Sequence, residues 1–331
     1  MSEQGQVRLS VVTPSYNQNR FIEQTILSVK GQNCPGVEHV VMDGGSTDGT
    51  VETLERYAGS YNLQWTSEPD KGQSDALNKG LSLSRGRLIG WLNSDDIYLP
   101  DALVKVTRYF DAHPETDWLY GDGCIIDEDS RLLAPSKGRP YDLEAFLRDG
   151  QFICQPAAFF RRRALEAAGP LDPALHFGMD YDLFIRLGLR CAAGYLPETL
   201  AAFRITDAAK SLDKSAQFVA DLLRALDKIF ALPDLPRRVA ALKEAAYAHA
   251  YLEGGIQFFE IGRFAEARTH LQRSLARRRR PFARRTILAT VLWLESLLRM
   301  HWFVPMTCRK LLRDSRRRAE TERLPSLAWQ P

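Results

Sequence analysis

The sequence predicts an α/β fold in which a mainly parallel sheet is covered by helices on both faces and is followed by a C-terminal helical region. Strand-like and helix-like patterns alternate from residue 9 to residue 113, which is typical of parallel sheets with crossover helices. After about residue 236 the periodicity is helical throughout. With 45% hydrophobic residues among 331, the chain can bury one large core, or a core domain with a smaller appendage.

Four β-rich runs predict the first four strands: LSVVT, VEHVVMD, LQWTS and LIGWLN, which begin at residues 9, 37, 63 and 88. The segments that follow them predict four helices: NRFIEQTILSVKGQ, TDGTVETLERYA, GQSDALNKGLSLS and LPDALVKVTRYFDAH. Thr47 and Asp48 are candidate caps of the second helix, and Pro100 stands near the start of the fourth.

The rest of the chain divides into two patterns. Residues 115–210 predict shorter strands, WLYGDGCIID and AAFF, around a helix, MDYDLFIRLGLRC. Beyond residue 236, two antiparallel helices that turn at Gly262 resemble a single tetratricopeptide-type hairpin. Because about three such repeats are needed for an independent array, packing of this pair on the main domain is favoured over a peptide-binding array.

Charge is unevenly distributed along the chain: the C-terminal part is strongly basic and the part before it is acidic. Residues 237–331 carry 20 Lys and Arg against 8 Asp and Glu, whereas the whole chain carries 44 against 41. The five cysteines show no zinc or disulfide spacing, which favours a reducing cytoplasm. The polar first ten residues predict no signal peptide, and no run approaches the ~18 apolar residues of a membrane span.

Polar residues follow each of the four predicted strands, in the stretches TPSYN, DGGSTD, SEPDKG and NSDD. Ligands of such sheets bind just beyond the carboxyl ends of the strands, so these loops are expected to meet at one rim. Any single Asp-rich loop can simply be solvated, but four polar loops at one rim, three of which carry carboxylates, make that explanation weaker.

Asp95 and Asp96 at the end of the fourth strand indicate a metal. Two carboxylates about 4 Å apart repel by ~4 kcal/mol at an effective dielectric near 20, and a divalent cation removes that cost. Oxygen ligands suit Mg²⁺ or Mn²⁺, so a metal that bridges the protein to a diphosphate is predicted. The chain has neither GxGxxG nor GxxxxGK[ST], which disfavours a dinucleotide enzyme or a P-loop NTPase.

Three further rim residues suit a nucleotide. Asp43 can accept hydrogen bonds from a base or ribose, and the Lys71 ammonium suits a phosphate. Tyr16 offers a ring face for stacking, with core packing as the alternative.

Five segments resemble, in order and spacing, the family-2 inverting glycosyltransferases with a GT-A (Rossmann-like, mixed) fold. Four resemble the nucleotide-sugar half: VVTPSYNQNRFIEQTILSV, VVMDGGSTDGT, SEPDKGQSDALNKG and GWLNSDDIYLPDAL. The fifth, CQPAAFFRRRALEAAGPLDPALHFGMDYDLFIRLG, resembles the acceptor half. The resemblance covers roughly residues 7–205 and implies a GT-A domain at 1–236, with a donor half at 7–115 and an acceptor half at 116–210. The basic helical region is then 237–331.

The resemblance also implies roles at single positions. The residues expected to bind the donor are Pro14, Tyr16, Asn17, Asp43, Lys71, Gly72, Asn93 and Ser94. Asp95 takes the position that usually coordinates the metal, with Asp96 as a second ligand. Asn93 stands where many members have the first Asp, which leaves one fewer anionic ligand.

Asp180 takes the position of the catalytic base, which Glu usually precedes and Met179 precedes here. An inverting transfer needs one general base to take a proton from an acceptor hydroxyl, and no nucleophile of the protein is required. A cap or dipole role for Asp180 at the helix start is the alternative, and Asp182 is the second candidate for the base.

The resemblance implies a metal-dependent hexosyltransferase of the non-processive bacterial type, because the chain lacks a QxxRW motif and membrane spans. It would move one sugar, most simply from a UDP-sugar, to a glycan or lipid-linked acceptor in surface polysaccharide synthesis. Two alternatives stay open: a catalytically silent sugar-nucleotide or glycan-binding protein, and a scaffold that works through its helical tail. A sugar nucleotidyltransferase is disfavoured because its Gly-rich loop is missing.

Two Arg-rich runs in the tail, RSLARRRRPFARR and RKLLRDSRRR, flank an amphipathic segment that contains Trp293, Trp302 and Phe303. Such a pattern suits an anionic membrane surface, although helices packed on the catalytic domain with solvated arginines explain it equally well. No nucleic-acid partner is expected, because no stacking or groove-reading module accompanies the arginines. The expected location is the cytoplasm, including the inner face of its membrane.

Overall fold

A computed structural model describes residues 7–150, 152–206, 212–278 and 284–298. One sheet contains all the strands of this part of the chain, in the order β3-β2-β1-β4-β8-β6-β9-β5, with β7 paired to β6. The strands are β1 (Leu9–Ser15), β2 (Val37–Asp43), β3 (Leu63–Ser67), β4 (Leu88–Trp91), β5 (Ile97–Tyr98), β6 (Trp118–Ile126), β7 (Leu132–Ser136), β8 (Ala158–Arg161) and β9 (Ala193–Arg204).

The sheet is mixed. β3, β2, β1 and β4 are parallel to their neighbours, as the strand–helix alternation predicts. β6 and β9 are also parallel to each other, whereas β8 runs antiparallel to both β4 and β6. The short β5 and the edge strand β7 pair antiparallel with β9 and β6. The predicted α/β class with a mixed sheet is confirmed.

Helices cover the sheet and continue beyond it. Their bounds are α1 (Ile22–Lys30), α2 (Thr50–Tyr57), α3 (Gln73–Leu83), α4 (Ala102–Ala112), α5 (Leu143–Asp149), α6 (Arg162–Ala168), α7 (Met179–Arg190), α8 (Leu212–Phe230), α9 (Arg237–Ala240), α10 (Lys243–Glu260), α11 (Phe264–Ala276) and α12 (Arg284–Leu298). Of these helices, none combines the length and apolarity that a membrane span needs.

The central strands bury both of their faces. Along β6, Trp118 and Tyr120 pack in one apolar cluster, and Leu119 between them packs in another. Val11 and Val12 of β1 divide between the same two clusters. Since successive side chains of a strand point to opposite faces, these two clusters are the cores on the two sides of the sheet.

The predicted helical hairpin is present as α10 and α11, with Gly262 at positive φ in the turn. The two helices run antiparallel, and the Ser274 hydroxyl donates to the carbonyl of Ala248 (2.6 Å). The hairpin packs on the α/β unit, because Ala246 and Ala250 of α10 belong to the same apolar cluster as Trp118. Packing on the main domain, the favoured alternative, is therefore confirmed.

Candidate active site

The carboxyl ends of the four parallel strands open into a cavity of about 770 Å³, here called the rim cavity. Five of the residues predicted for the donor site line it together with Asp95: Pro14, Tyr16, Gly72, Asn93 and Ser94. The convergence of strand ends expected from the sequence therefore brings these residues to one place.

The Tyr16 side chain stands at the wall of the rim cavity and is 61% exposed, so core packing, the alternative, is wrong. Gly44 lies behind it: a Cβ there would come within 3.2 Å of the Tyr16 ring and 2.9 Å of Asp70 Oδ2. A glycine at position 44 thus allows the ring and the carboxylate to approach the same stretch of backbone. The exposed ring offers a stacking face for a planar ligand.

Asn17, Asp43 and Lys71 are not among the residues that line the rim cavity. The buried Asp43 carboxylate accepts hydrogen bonds from the backbone N–H of Ser46 (2.8 Å) and from the Ser67 hydroxyl (2.6 Å). The Asn17 side chain accepts from the backbone N–H of Thr47 (3.0 Å), across the loops after β1 and β2. Both side chains therefore shape the rim loops, and a direct contact with a donor stays a prediction for all three residues.

The two carboxylates of the NSDD turn have different surroundings. Asp95 lines the rim cavity. Asp96 is completely buried, and its carboxylate accepts from the backbone N–H of Arg204 (2.8 Å) and from Asn93 Nδ2 (3.1 Å). Burial raises the pKa of both carboxyls; Asp95 raises that of Asp96 further, and the Arg204 guanidinium opposes both shifts. The structure therefore brings Asp95 to the cavity and leaves Asp96 behind it, where its metal role stays a prediction.

Arg204, at the end of β9, contacts the NSDD turn. The sequence analysis did not predict a role for this residue. Its Nε donates to the carbonyl of Asp95 (2.7 Å), and its Nη2 donates to Gln24 Oε1 (2.8 Å). The guanidinium also stacks over the Phe21 ring at 4.9 Å. A cation in this place balances the buried carboxylate charge of the turn.

The Asn93 side chain uses both ends of its amide. Its Oδ1 accepts from Gln73 Nε2 (2.7 Å) and Trp91 Nε1 (2.8 Å). Its Nδ2 donates to Asp96 Oδ2 and to Gln155 Oε1, both at 3.1 Å. A carboxylate at this position could make neither donation, so the asparagine that replaces the first Asp of the motif has a physical reason in this chain.

Replacing Asn93 by aspartate should therefore lower the free energy of unfolding by about 1–3 kcal/mol at neutral pH, because Gln155 Oε1 loses its donor and a second anion faces Asp96. Urea unfolding followed by circular dichroism measures this. Asn62→Asp, an exposed amide that donates to the carbonyl of Val37, is the matched control and should change little. Equal stabilities of Asn93→Asp and wild type would contradict the assigned network.

A second cavity of about 470 Å³, here called the α7 cavity, adjoins the rim cavity. Four residues line both of them: Gln73, Asn93, Phe177 and Phe203. Asp180 lines the α7 cavity from the first turn of α7, and its Oδ1 accepts from the backbone N–H of Tyr181 (2.8 Å). Gly178 is the N-cap residue, so Asp180 does not cap the helix, although the helix dipole still favours its anion.

The loop that presents Asp180 is held by Asp221 of α8, a helix that the sequence reasoning did not identify. Asp221 Oδ2 accepts from the backbone N–H groups of His176 (2.7 Å) and Phe177 (2.8 Å). A Cβ on Gly178 would lie 3.1 Å from the Asp221 Cβ, so glycine allows this close approach. α8 therefore fixes where α7 begins, and with it the position of Asp180.

Asp182, the second candidate for the base, is buried in an ion-pair network away from the α7 cavity. Its carboxylate lies 2.7 Å from Arg186 Nη2 and 3.3 Å from Lys228 Nζ. Asp182 is not among the residues that line the α7 cavity, so the structure favours Asp180 over it.

One wall of the α7 cavity comes from α10 of the C-terminal region, which the sequence reasoning did not foresee. His249, Ala250 and Glu253 line the cavity from this helix. Burial lowers the pKa of His249 to about 3, and the Arg285 and Arg278 charges add to the shift, so this imidazole is neutral. Burial raises the pKa of the Glu253 carboxyl.

The rim cavity fits a nucleotide-bound cation better than a metal held by protein alone. The described residues contain no group of three or more His, Cys, Asp or Glu side chains placed to hold a metal ion. Mg²⁺ at nucleotide sites typically takes one or two carboxylates, with phosphate oxygens and waters as its other ligands. Asp95, a half-buried carboxylate in the wall of the rim cavity, matches that donor set.

Comparison with known proteins identifies the family. A family model for glycosyl transferase family 2 matches residues 10–169. An uncharacterised glycosyltransferase of Mycobacterium tuberculosis is 30% identical over 263 residues, which cover 78% of this chain and 95% of that relative. The chain belongs to glycosyl transferase family 2. This glycosyltransferase is also 30% identical over 180 residues to a PGL/p-HBAD biosynthesis glycosyltransferase of Mycobacterium bovis, over 54% of this chain and 68% of the relative.

Solved structures similar to this family-2 glycosyltransferase confirm the GT-A fold. S. aureus TarS 1–349 in complex with UDP-GlcNAc has a TM-score of 0.59 at 16% identity and covers 96% of this chain and 91% of the TarS chain. A mannosyltransferase from Pyrobaculum calidifontis, in complex with GDP-Man and Mn²⁺, has a TM-score of 0.59 at 19% identity and covers 97% and 88%. At these identities the likeness concerns the fold alone.

Proposed function

We propose that this glycosyltransferase moves one sugar from a nucleotide-diphospho-sugar, most simply a UDP-sugar, to a hydroxyl of a glycan or lipid-linked acceptor with inversion at the anomeric carbon. The observation that carries the proposal is that the rim cavity and the α7 cavity meet. Asp95 lines the first and Asp180 the second, and Asn93 and Phe177 belong to both. A donor in one cavity and an acceptor in the other would therefore have their reacting groups side by side.

The reaction is a single displacement. The acceptor oxygen forms a bond to the anomeric carbon while the bond from that carbon to the diphosphate oxygen breaks. The electron pair leaves with the nucleoside diphosphate, and the hydroxyl proton passes to the Asp180 carboxylate. Because the attacking and leaving oxygens lie on opposite faces of the sugar, the configuration inverts. Asp180 lies in the first turn of α7, where the helix dipole favours the carboxylate form that accepts the proton.

We assign Mg²⁺ or Mn²⁺ binding to Asp95, with the donor diphosphate as the other main ligand. When bound there, the cation would neutralise the negative charge that develops on the diphosphate as it leaves. The mannosyltransferase complex that contains GDP-Man and Mn²⁺, and the TarS complex that contains UDP-GlcNAc, support a nucleotide-sugar donor and a metal by analogy of fold.

We place the enzyme in the synthesis of a surface polysaccharide or glycolipid, at the cytoplasmic face of a membrane. The supporting names among its relatives are PGL/p-HBAD biosynthesis glycosyltransferase and chondroitin synthase. On α12, the side chains of Ile287, Leu294 and Leu297 are about half exposed, next to the basic start of the helix. This surface suits an anionic membrane. Trp302, Phe303 and the run 309–318 lie outside the described residues.

Calorimetric titration of UDP and of GDP, each with and without Mn²⁺, tests the donor site. We expect UDP to bind in the presence of Mn²⁺ and Asp95→Ala to lose the metal-dependent part of the affinity, at least about tenfold, because a charge-assisted ligand is removed. Asp234→Ala, at an exposed position between α8 and α9, is the matched control and should bind UDP as wild type does. The proposal would be overturned if neither nucleotide bound under any condition.

A further inference from the structure

A third cavity, of about 540 Å³, lies where the end of α5 meets α10 and the facing ends of α11 and α12. We call it the arginine cleft, because five arginines line it: Arg148, Arg277, Arg278, Arg284 and Arg285. Asp149 and Glu244 are the only carboxylates among its described lining residues. No step of the proposed transfer reaction uses this cleft.

The carboxylates of the arginine cleft balance only part of its charge. Asp149 lies 3.3 Å from Arg148 Nη2 and 3.9 Å from Arg285 Nε. Glu244 lies 3.6 Å from Arg277 Nε. With two anions against five guanidinium groups, three positive charges are left over in the described lining. A ligand with two or more negative charges would relieve their repulsion, and guanidinium groups match phosphate oxygens in geometry.

Arg278 lies within this group of positive charges. Its Nη2 donates to the carbonyl of Ala248 (3.3 Å), which holds the guanidinium in the half-buried wall of the cleft. Burial lowers the pKa of Arg278, and the nearby Arg285 charge lowers it further. A bound anion would reverse the second effect.

The arginine cleft and the α7 cavity are separated by a single layer of residues. Arg285 Nη1 lies 2.8 Å from His249 Nδ1, and His249 lines the α7 cavity. Arg285 Nη2 also donates to the carbonyl of Asp149, whose residue lines both cavities. One molecule could therefore place a group in each.

The two cavities differ in the charge of their walls. Asp180 and Glu253 line the α7 cavity, together with Asp149, whose carboxylate pairs with arginines of the cleft, and no Lys or Arg is among its described lining residues. An anionic group of an acceptor would be repelled there, whereas an uncharged sugar would not. The arginine cleft shows the reverse preference.

We propose that the arginine cleft binds a phosphate or diphosphate group of the acceptor, while the uncharged sugar of the same acceptor presents its hydroxyl to Asp180. This inference rests on the proposed function and specifies its acceptor as a phosphate-bearing glycoside. The C-terminal helical region then contributes to acceptor recognition through α10, α11 and α12.

The test is calorimetric titration of inorganic pyrophosphate in EDTA into the full-length protein. Wild type should bind pyrophosphate. The double variant Arg148→Gln/Arg284→Gln should bind it at least about tenfold more weakly, because two charged donors are lost. The Arg148 side chain is 52% exposed and Arg284 is exposed, so the fold should survive both changes. Arg237→Gln/Arg238→Gln, two exposed arginines of α9 outside the cleft, is the charge-matched control and should bind as wild type does.

Asp95→Ala distinguishes the arginine cleft from the rim cavity. Pyrophosphate binding that survives in Asp95→Ala and is lost in the cleft variant supports the proposal. Absent binding, or binding that depends on Asp95 and not on the arginines, overturns it.

Sedimentation with phosphatidylglycerol vesicles addresses the other source of phosphate. Vesicle binding through these arginines without pyrophosphate binding would assign the cleft to a membrane headgroup. UDP titration of the Arg148→Gln/Arg284→Gln variant should match wild type, because neither arginine lines the rim cavity, so a failure here is distinct from failure of the donor site.

Discussion

The Asp180→Asn variant should transfer sugar about 1,000-fold more slowly than wild type, because a general base contributes roughly 10²- to 10⁴-fold and an amide cannot accept the proton. The amide oxygen can still accept from the backbone N–H of Tyr181, so the first turn of α7 should keep its geometry. UDP binding, measured by calorimetry, should be unchanged, because Asp180 lines the α7 cavity and not the rim cavity.

Asp182→Asn is the matched control for this effect. It removes a carboxylate from the same helix, but one that pairs with Arg186 and Lys228 instead of lining the α7 cavity. It should lower stability and leave the rate per folded molecule within a few-fold of wild type. Rapid transfer by Asp180→Asn, combined with loss of transfer in Glu253→Gln, would move the base role to Glu253, another carboxylate of the α7 cavity.

The local parts of this architecture could be predicted because short-range patterns encode them. The strand that ends at Trp91 is a run of apolar residues, and the polar turn after it marks the rim directly. The two-residue strand β5 is too short to show any alternation. The helix α8 lies between the region of short strands, 115–210, and the helical region that begins after residue 236. Nothing in the sequence around Asp221 indicates that its carboxylate binds the loop before α7.

The parts of the site that could not be predicted depend on contacts between distant residues. Arg204 and Asp96 are 108 positions apart and become neighbours only when β9 joins the sheet. His249 and Glu253 look like ordinary polar positions of an amphipathic helix until α10 packs against α5 and α8 and comes to line the same cavity as Asp180. Met179, which replaces the expected Glu, is buried, and its Sδ lies 3.3 Å from the Ser74 hydroxyl. This position thus contributes packing between α3 and α7 rather than a charge beside Asp180.

The Arg204→Met variant should lose about 3–5 kcal/mol of unfolding free energy, because removal of one partner leaves buried charge uncompensated. Arg204 is 3% exposed, and its guanidinium contacts the Asp95 carbonyl, Gln24 and the Phe21 ring. Methionine keeps the apolar length of the side chain, so most of the loss should come from charge and hydrogen bonds rather than from a cavity. Urea unfolding at neutral pH measures it.

Two more variants provide a control for the loss of stability and test its cause. Arg20→Met removes an arginine that is 59% exposed and ion-paired with Glu128, and such surface pairs contribute only about 0–1 kcal/mol. Adding Asp96→Asn to Arg204→Met removes the carboxylate that the guanidinium balances. If uncompensated charge causes the loss, the double variant should be more stable than the sum of the single changes by about 1–3 kcal/mol. Strict additivity would instead mean that Arg204 stabilises the NSDD turn through its hydrogen bonds alone, and that the carboxylates of the turn do not depend on it for charge balance.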